Sequence, residues 1–138
     1  MEGDRKGLAI ILHSGSYDRI YHGLSIASIA SALGREVKLF FTYWALEYLR
    51  REKSPTLSLD REGENHKDVL EKGLEKGHMK QISELLARAK RVGTRCYACV
   101  NSMALLNITR DELVDEVDES TGLATFLQEA EDAQILFV

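Results

Sequence analysis

The chain has 138 residues, 44% of them apolar and 29% charged, values that fit one soluble globular domain spanning residues 1–138. Its formal charge of −4 speaks against a nucleic-acid partner, and a single proline argues against a disordered linker. Two cysteines are too few for a secreted disulfide framework. The polar start MEGDRKG reads as neither signal nor transit peptide, and no apolar run approaches a membrane span. A cytoplasmic protein with reduced thiols is expected.

In chain order, LAIILHS (8–14) is a continuous apolar run, the pattern of a strand covered on both faces by helices. The turn GSYD follows, and then a helix with Ile20, Leu24 and Ala27 at steps of three and four. Asp18 is the expected N-cap and Gly34 the expected stop. EVKLFFTY (36–43) reads as a second strand, which implies a parallel, right-handed crossover. WALEYLRRE reads as a short helix, and residues 53–65 as a long polar loop able to act as a lid. From His66 to Val92 a helical pattern carries Leu70, Leu74, Ile82, Leu85, Leu86 and Ala89, with a break expected near Gly73 and Gly77. TRCYACV is a third strand and NSMALLN a short helix. DELVDEV is a helical turn leading into a fourth strand. STGLATFLQEAEDA is a helix with Leu123, Phe126, Leu127 and Ala130 on one face, and QILFV a fifth strand. The fold class is α/β, three layers α/β/α around a mostly parallel sheet.

Chemistry centres on Cys96 and Cys99, three residues apart. Cys99 falls at a strand-to-helix junction, where ligands gather in open parallel sheets and where a helix start lowers a thiol's pKa. Cys96 falls inside the strand. If residues 96 to 99 are extended, their Cα atoms lie roughly 10 Å apart and the side chains take opposite faces. A disulfide needs about 7 Å or less, so a dithiol switch requires the strand to end before Cys96. Asn101 and Ser102 are able to cap the helix that follows. His13 closes the first strand as a neighbour of Cys99, and Ser14 and Gly15 offer N–H groups to an anion. Tyr43 and Trp44 are pocket-wall candidates, though core packing explains such aromatics equally well. His66 and His78 do not have the spacing of a zinc site, so no metal is expected.

Three stretches together resemble the DsrE/DsrF-like sulfur-relay family, in its soluble branch often filed under peroxiredoxin-like names. They are SGSYDRIYHGLSIASIASALGREVKLFFTYWAL, CYACVNSMALLNI and STGLATFLQEAEDAQILFV. The resemblance implies a five-stranded parallel sheet in the order 4-3-2-1-5, and assembly into homo-oligomers, commonly trimers or multiples. It also implies a cysteine that takes sulfane sulfur from a persulfide or sulfur-carrier protein and passes it on, with no cofactor. The matching cysteine is Cys99, while Cys96 has no firm counterpart. Two alternatives stand beside it: a Cys-x-x-Cys redox protein using both thiols, and a non-catalytic module binding a small ligand between HSGSYD, TYW and Cys99.

Overall fold

A computed structural model describes residues 6–52 and 57–138. Five strands form one sheet: β1 (Leu8–Leu12), β2 (Val37–Phe41), β3 (Arg95–Cys99), β4 (Glu119–Thr121) and β5 (Gln134–Phe137). Their order is β4-β3-β2-β1-β5 and every pairing is parallel. Six helices connect them: α1 (Tyr17–Ala32), α2 (Arg61–Glu64), α3 (Lys67–Glu75), α4 (Ile82–Arg91), α5 (Val100–Leu106) and α6 (Leu123–Glu129). The five-stranded α/β/α architecture expected from the sequence is the one found.

Side chains alternate across the sheet because successive residues of a strand point to opposite faces. Leu8, Ile10, Leu12, Val37, Leu39, Phe41, Cys96 and Ala98 meet the apolar stripes of α1 and α4 on one face. Ile20, Leu24 and Ala27 of α1, and Ile82, Leu85, Leu86 and Ala89 of α4, are buried there as their spacing predicted. A hydrogen bond of 2.6 Å between Ser31 and Thr94 ties the end of α1 to the start of β3. The second face carries Ala9, Phe40, Tyr97 and Cys99 under Phe126 and Ala130. Phe126 is fully buried, stacked on Phe40 at 4.6 Å and edge-on to Tyr97 at 5.5 Å.

Several local expectations need correction. Ser16, not Asp18, holds the N-cap position of α1. Asp18 sits in the first turn and accepts the Ser16 hydroxyl at 2.5 Å. The long polar loop is partly helical, because Asp60 accepts the Gly63 N–H at 2.7 Å and caps α2. Residues 53–56 of that loop lie outside the described residues. The break in the 66–92 pattern falls at Gly77, whose φ of 76° suits glycine, while Gly73 lies within α3. The segment Tyr43–Leu49 is a 3-10 helix, with Ala45, Leu46 and Leu49 buried. On α6 only half of the expected stripe is covered: Phe126 and Ala130 are buried, whereas Leu123 and Leu127 are exposed.

Phe126 is therefore the main side chain closing the second face beneath the site. Phe126→Ala is expected to cost about 3–5 kcal/mol by urea unfolding, from lost burial plus the cavity left behind. A cost below about 1 kcal/mol would mean that α6 does not carry that face.

Candidate functional site

The site lies where three adjacent strands end. Phe41 pairs with Ala98 and Leu12 with Phe41, so the residues that follow, Cys99, Thr42 and His13, line up at the carboxyl edge of the sheet. The ladder continues past β2, since the Thr42 N–H donates to the Leu12 carbonyl at 2.9 Å. Parallel strands in register place such successor residues side by side, and chain order alone conceals this.

Cys99 is the N-cap of α5 and only 4% exposed, yet it opens on a cavity of about 310 Å³. Ile11, Phe40, Tyr43, Leu105, Leu123 and Phe137 form apolar walls, and His13, Thr42, Asn101 and Ser102 supply the polar groups. Tyr43, Leu105, Leu123 and Phe137 are themselves exposed, so the cavity opens to solvent.

Two opposed effects act on the Cys99 thiol. Burial pushes its pKa up. The Ser102 hydroxyl and N–H, the Thr42 hydroxyl and the Asn101 N–H together more than offset that, and the pKa ends below the ordinary thiol range. None of these is a close side-chain cap bond. A neutral thiol accepts weakly, and the donors favour the ionised form that would accept strongly. Two hydroxyls stand close together here: Thr42 and Ser102 are 2.9 Å apart, and the Tyr43 N–H donates to the Ser102 hydroxyl at 2.8 Å.

Cys96 has the opposite environment. It is fully buried among the apolar residues of the other face, and burial first, then Asp118, push its pKa far above the ordinary thiol range. Its backbone N–H donates to Asp118 at 2.7 Å, and Lys90 pairs with the same carboxylate. With both cysteines inside a regular strand, an intramolecular disulfide does not fit the geometry.

The other sequence candidates divide between two cavities. His13, Tyr43, Asn101 and Ser102 share the Cys99 cavity. Ser14, Gly15 and Trp44 line a neighbouring cavity of about 480 Å³, with His13 and Phe137 common to both. His13 stacks on Tyr43 at 4.5 Å and tilts against Phe137 at 5.7 Å. Of the N–H groups in SGS, that of Ser16 donates to the Ser14 hydroxyl, and the following Tyr17 N–H donates to the Ser58 carbonyl. Sequence reading missed Phe137, and it included Thr42 only within the TYW stretch, without singling it out. Each stands at the carboxyl end of its strand, beside the Cys99 row, and only the sheet register reveals that placement.

Comparison with known proteins places this geometry in a family. A model of the DsrE/DsrF/DrsH-like family matches residues 4–66 and 56–138. The sulfur carrier protein DsrE2 of Allochromatium vinosum is 30% identical over 158 residues, covering 96% of this chain and 97% of that protein. The uncharacterized protein YrkE of Bacillus subtilis is 27% identical over 161 residues, covering all of both chains. Among solved structures, the ychN protein of E. coli superposes with a TM-score of 0.70 at 15% identity, covering 97% of this chain and 100% of the other. Protein MTH1491 of Methanobacterium thermoautotrophicum gives 0.63 at 16%, with the same coverage. These two likenesses concern the fold. On the family match and the 30% relative together, the chain belongs to the DsrE/DsrF/DrsH-like family.

Proposed function

We propose that this protein is a sulfur-relay carrier in which Cys99 holds sulfane sulfur as a persulfide or a thiosulfonate. The observation that carries the proposal is a thiol with a lowered pKa at the base of an open cavity. Support also comes from the DsrE2 relative, whose name describes a sulfur carrier. In the persulfide form, the Cys99 thiolate attacks the outer sulfur of a donor R–S–SH. The Cys99 S–S bond forms as the donor S–S bond breaks, and R–S⁻ leaves. A second partner thiolate then takes the outer sulfur and restores Cys99 thiolate, with no net oxidation. With tetrathionate, attack on a central sulfur expels thiosulfate and leaves a thiosulfonate on Cys99. The partner is a persulfide or sulfur-carrier protein. Among the described residues no helix is long and apolar enough to cross a membrane, and we place the protein in the cytoplasm, where its thiols stay reduced.

The redox alternative is disfavoured because Cys96 and Cys99 belong to opposite faces of the sheet. We also propose a homo-oligomer, a trimer or a multiple of one. In its support, Leu105, Leu123, Leu127, Ile135 and Phe137 are large apolar side chains lying 40–69% exposed, and of these Leu105, Leu123 and Phe137 line one cavity.

Intact mass after exposure to polysulfide or tetrathionate is expected to show one added sulfur species on the wild type and on Cys96→Ala, and none on Cys99→Ser. Equal labelling of Cys99→Ser would refute the assignment. The sign of the pH dependence follows from the lowered pKa: loading falls as pH drops, with a midpoint below that of a free cysteine. A loading midpoint at or above that of free cysteine would contradict this. For the assembly, sedimentation of the wild type is expected to give a trimer or multiple, and Phe137→Asp a smaller species. A monomeric wild type at micromolar concentration rules the assembly out.

A further inference from the structure

Two hydroxyls line the cavity beside Cys99, and their bonding restricts where their protons point. Thr42 and Ser102 are buried, 8% and 3% exposed, with their oxygens 2.9 Å apart. Thr42 is held in place by its N–H, which donates to the Leu12 carbonyl. Tyr43 turns into the left-handed region, with φ of 48°, and in that conformation its N–H donates to the Ser102 oxygen at 2.8 Å. A non-glycine residue adopts such a backbone only when its surroundings hold it there. Both residues line the Cys99 cavity: Thr42 follows the Phe41–Ala98 pair and so stands beside Cys99, and Ser102 is the third residue of α5, whose N-cap is Cys99.

A proton count then separates two arrangements. Three links join Thr42, Ser102 and the sulfur, but the two hydroxyls have only two protons between them, and a thiolate contributes none. The Tyr43 N–H fills one lone pair of the Ser102 oxygen. If Thr42 donates into the other, Ser102 accepts twice and its own proton is left for the sulfur. We infer that Thr42 is a positioning residue, acting through Ser102 by holding the Ser102 hydroxyl with its proton directed at Cys99. Such a chain strengthens each bond along it, because a hydroxyl that accepts becomes a better donor. The inference rests on the sulfur-carrier proposal only for its meaning, since thiolate stabilisation is measurable without any sulfur donor.

Among the described residues lining the cavity, the titratable groups facing Cys99 are His13 from the end of β1 and Tyr43 from the 3-10 helix. Leu123 of α6, Phe137 of β5, and Asn101, Ser102 and Leu105 of α5 contribute no charge. A shift in the Cys99 profile on changing Thr42 therefore has few other sources nearby.

The test is the pH profile of Cys99 alkylation by iodoacetamide, read on the Cys99 peptide so that Cys96 does not interfere. Ser102→Ala is expected to slow neutral-pH alkylation roughly tenfold or more, and Thr42→Val about threefold to tenfold, both with the midpoint moved up. Thr42→Ser is expected to stay within about twofold of wild type, since it retains the hydroxyl. In the Ser102→Ala background, Thr42→Val should shift the profile less than it does alone, which is the mark of action through Ser102. An unmoved midpoint in Thr42→Val, an equal shift in Thr42→Ser, or additive effects in the double variant would each overturn the inference. Melting curves establish folding, and Thr42→Ala supplies the same comparison if Thr42→Val does not fold. Polysulfide loading of the same proteins separates the two proposals: a shifted profile without sulfur uptake sinks the carrier role alone, and uptake with an unmoved profile sinks the role of Thr42 alone.

Discussion

Everything at this site depends on the in-register parallel ladder of β1, β2 and β3. It brings three residues distant in sequence, His13, Thr42 and Cys99, to one edge of the sheet. It also decides which cysteine is chemically available. With a period of two, Cys99 shares a face with Tyr97 and Phe40, and Cys96 shares the other with Ala98 and the helices packed there. A slip of one residue in β3 would exchange the two thiols between core and cavity. The chain-level spacing Cys-x-x-Cys thus describes two thiols in different environments, not a pair.

Cys99 shows how a thiol that is hardly exposed is nonetheless biased toward ionisation. Burial alone raises a thiol's pKa, and at Cys96 that effect dominates. At Cys99 the chain leaves the strand and enters α5, and there the Ser102 hydroxyl and N–H, the Thr42 hydroxyl and the Asn101 N–H outweigh burial. The apolar walls, Phe40 and Leu123 among them, keep the surroundings low in dielectric, which strengthens each of those donors. Cys99 then opens on a cavity while most of its surface stays covered. That combination suits a carrier, which has to hold a reactive sulfur without losing it to solvent.

The layers of the fold were legible in the sequence because its strands are short apolar runs and α1 and α4 carry clear helical spacing. Ile20, Leu24, Leu85 and Leu86 are buried as their periodicity required. The site was legible only in part. Cys99 and Ser102 stand in one local segment, so their association needed no tertiary information. Thr42 reads as the tail of an aromatic strand, and Phe137 as the penultimate residue of an edge strand. Their place beside Cys99 comes from sheet register, which is non-local. Trp44 points the other way: adjacent to Tyr43 in sequence, it lines the neighbouring cavity because the chain turns sharply at the positive φ of Tyr43. The stripe of α6 misled for another reason. Helical periodicity marks an apolar face without saying what covers it, and among the described residues Leu123 and Leu127 stay exposed.

The central claim is that the Cys99 thiol, at the edge of its cavity, ionises more readily than a free cysteine. Its most direct test is the ultraviolet thiolate absorbance of the reduced wild type minus that of Cys99→Ser, followed from acid to alkaline pH. The account predicts a difference band whose midpoint lies below that of free cysteine. A difference that emerges only at or above the free-cysteine midpoint would contradict it.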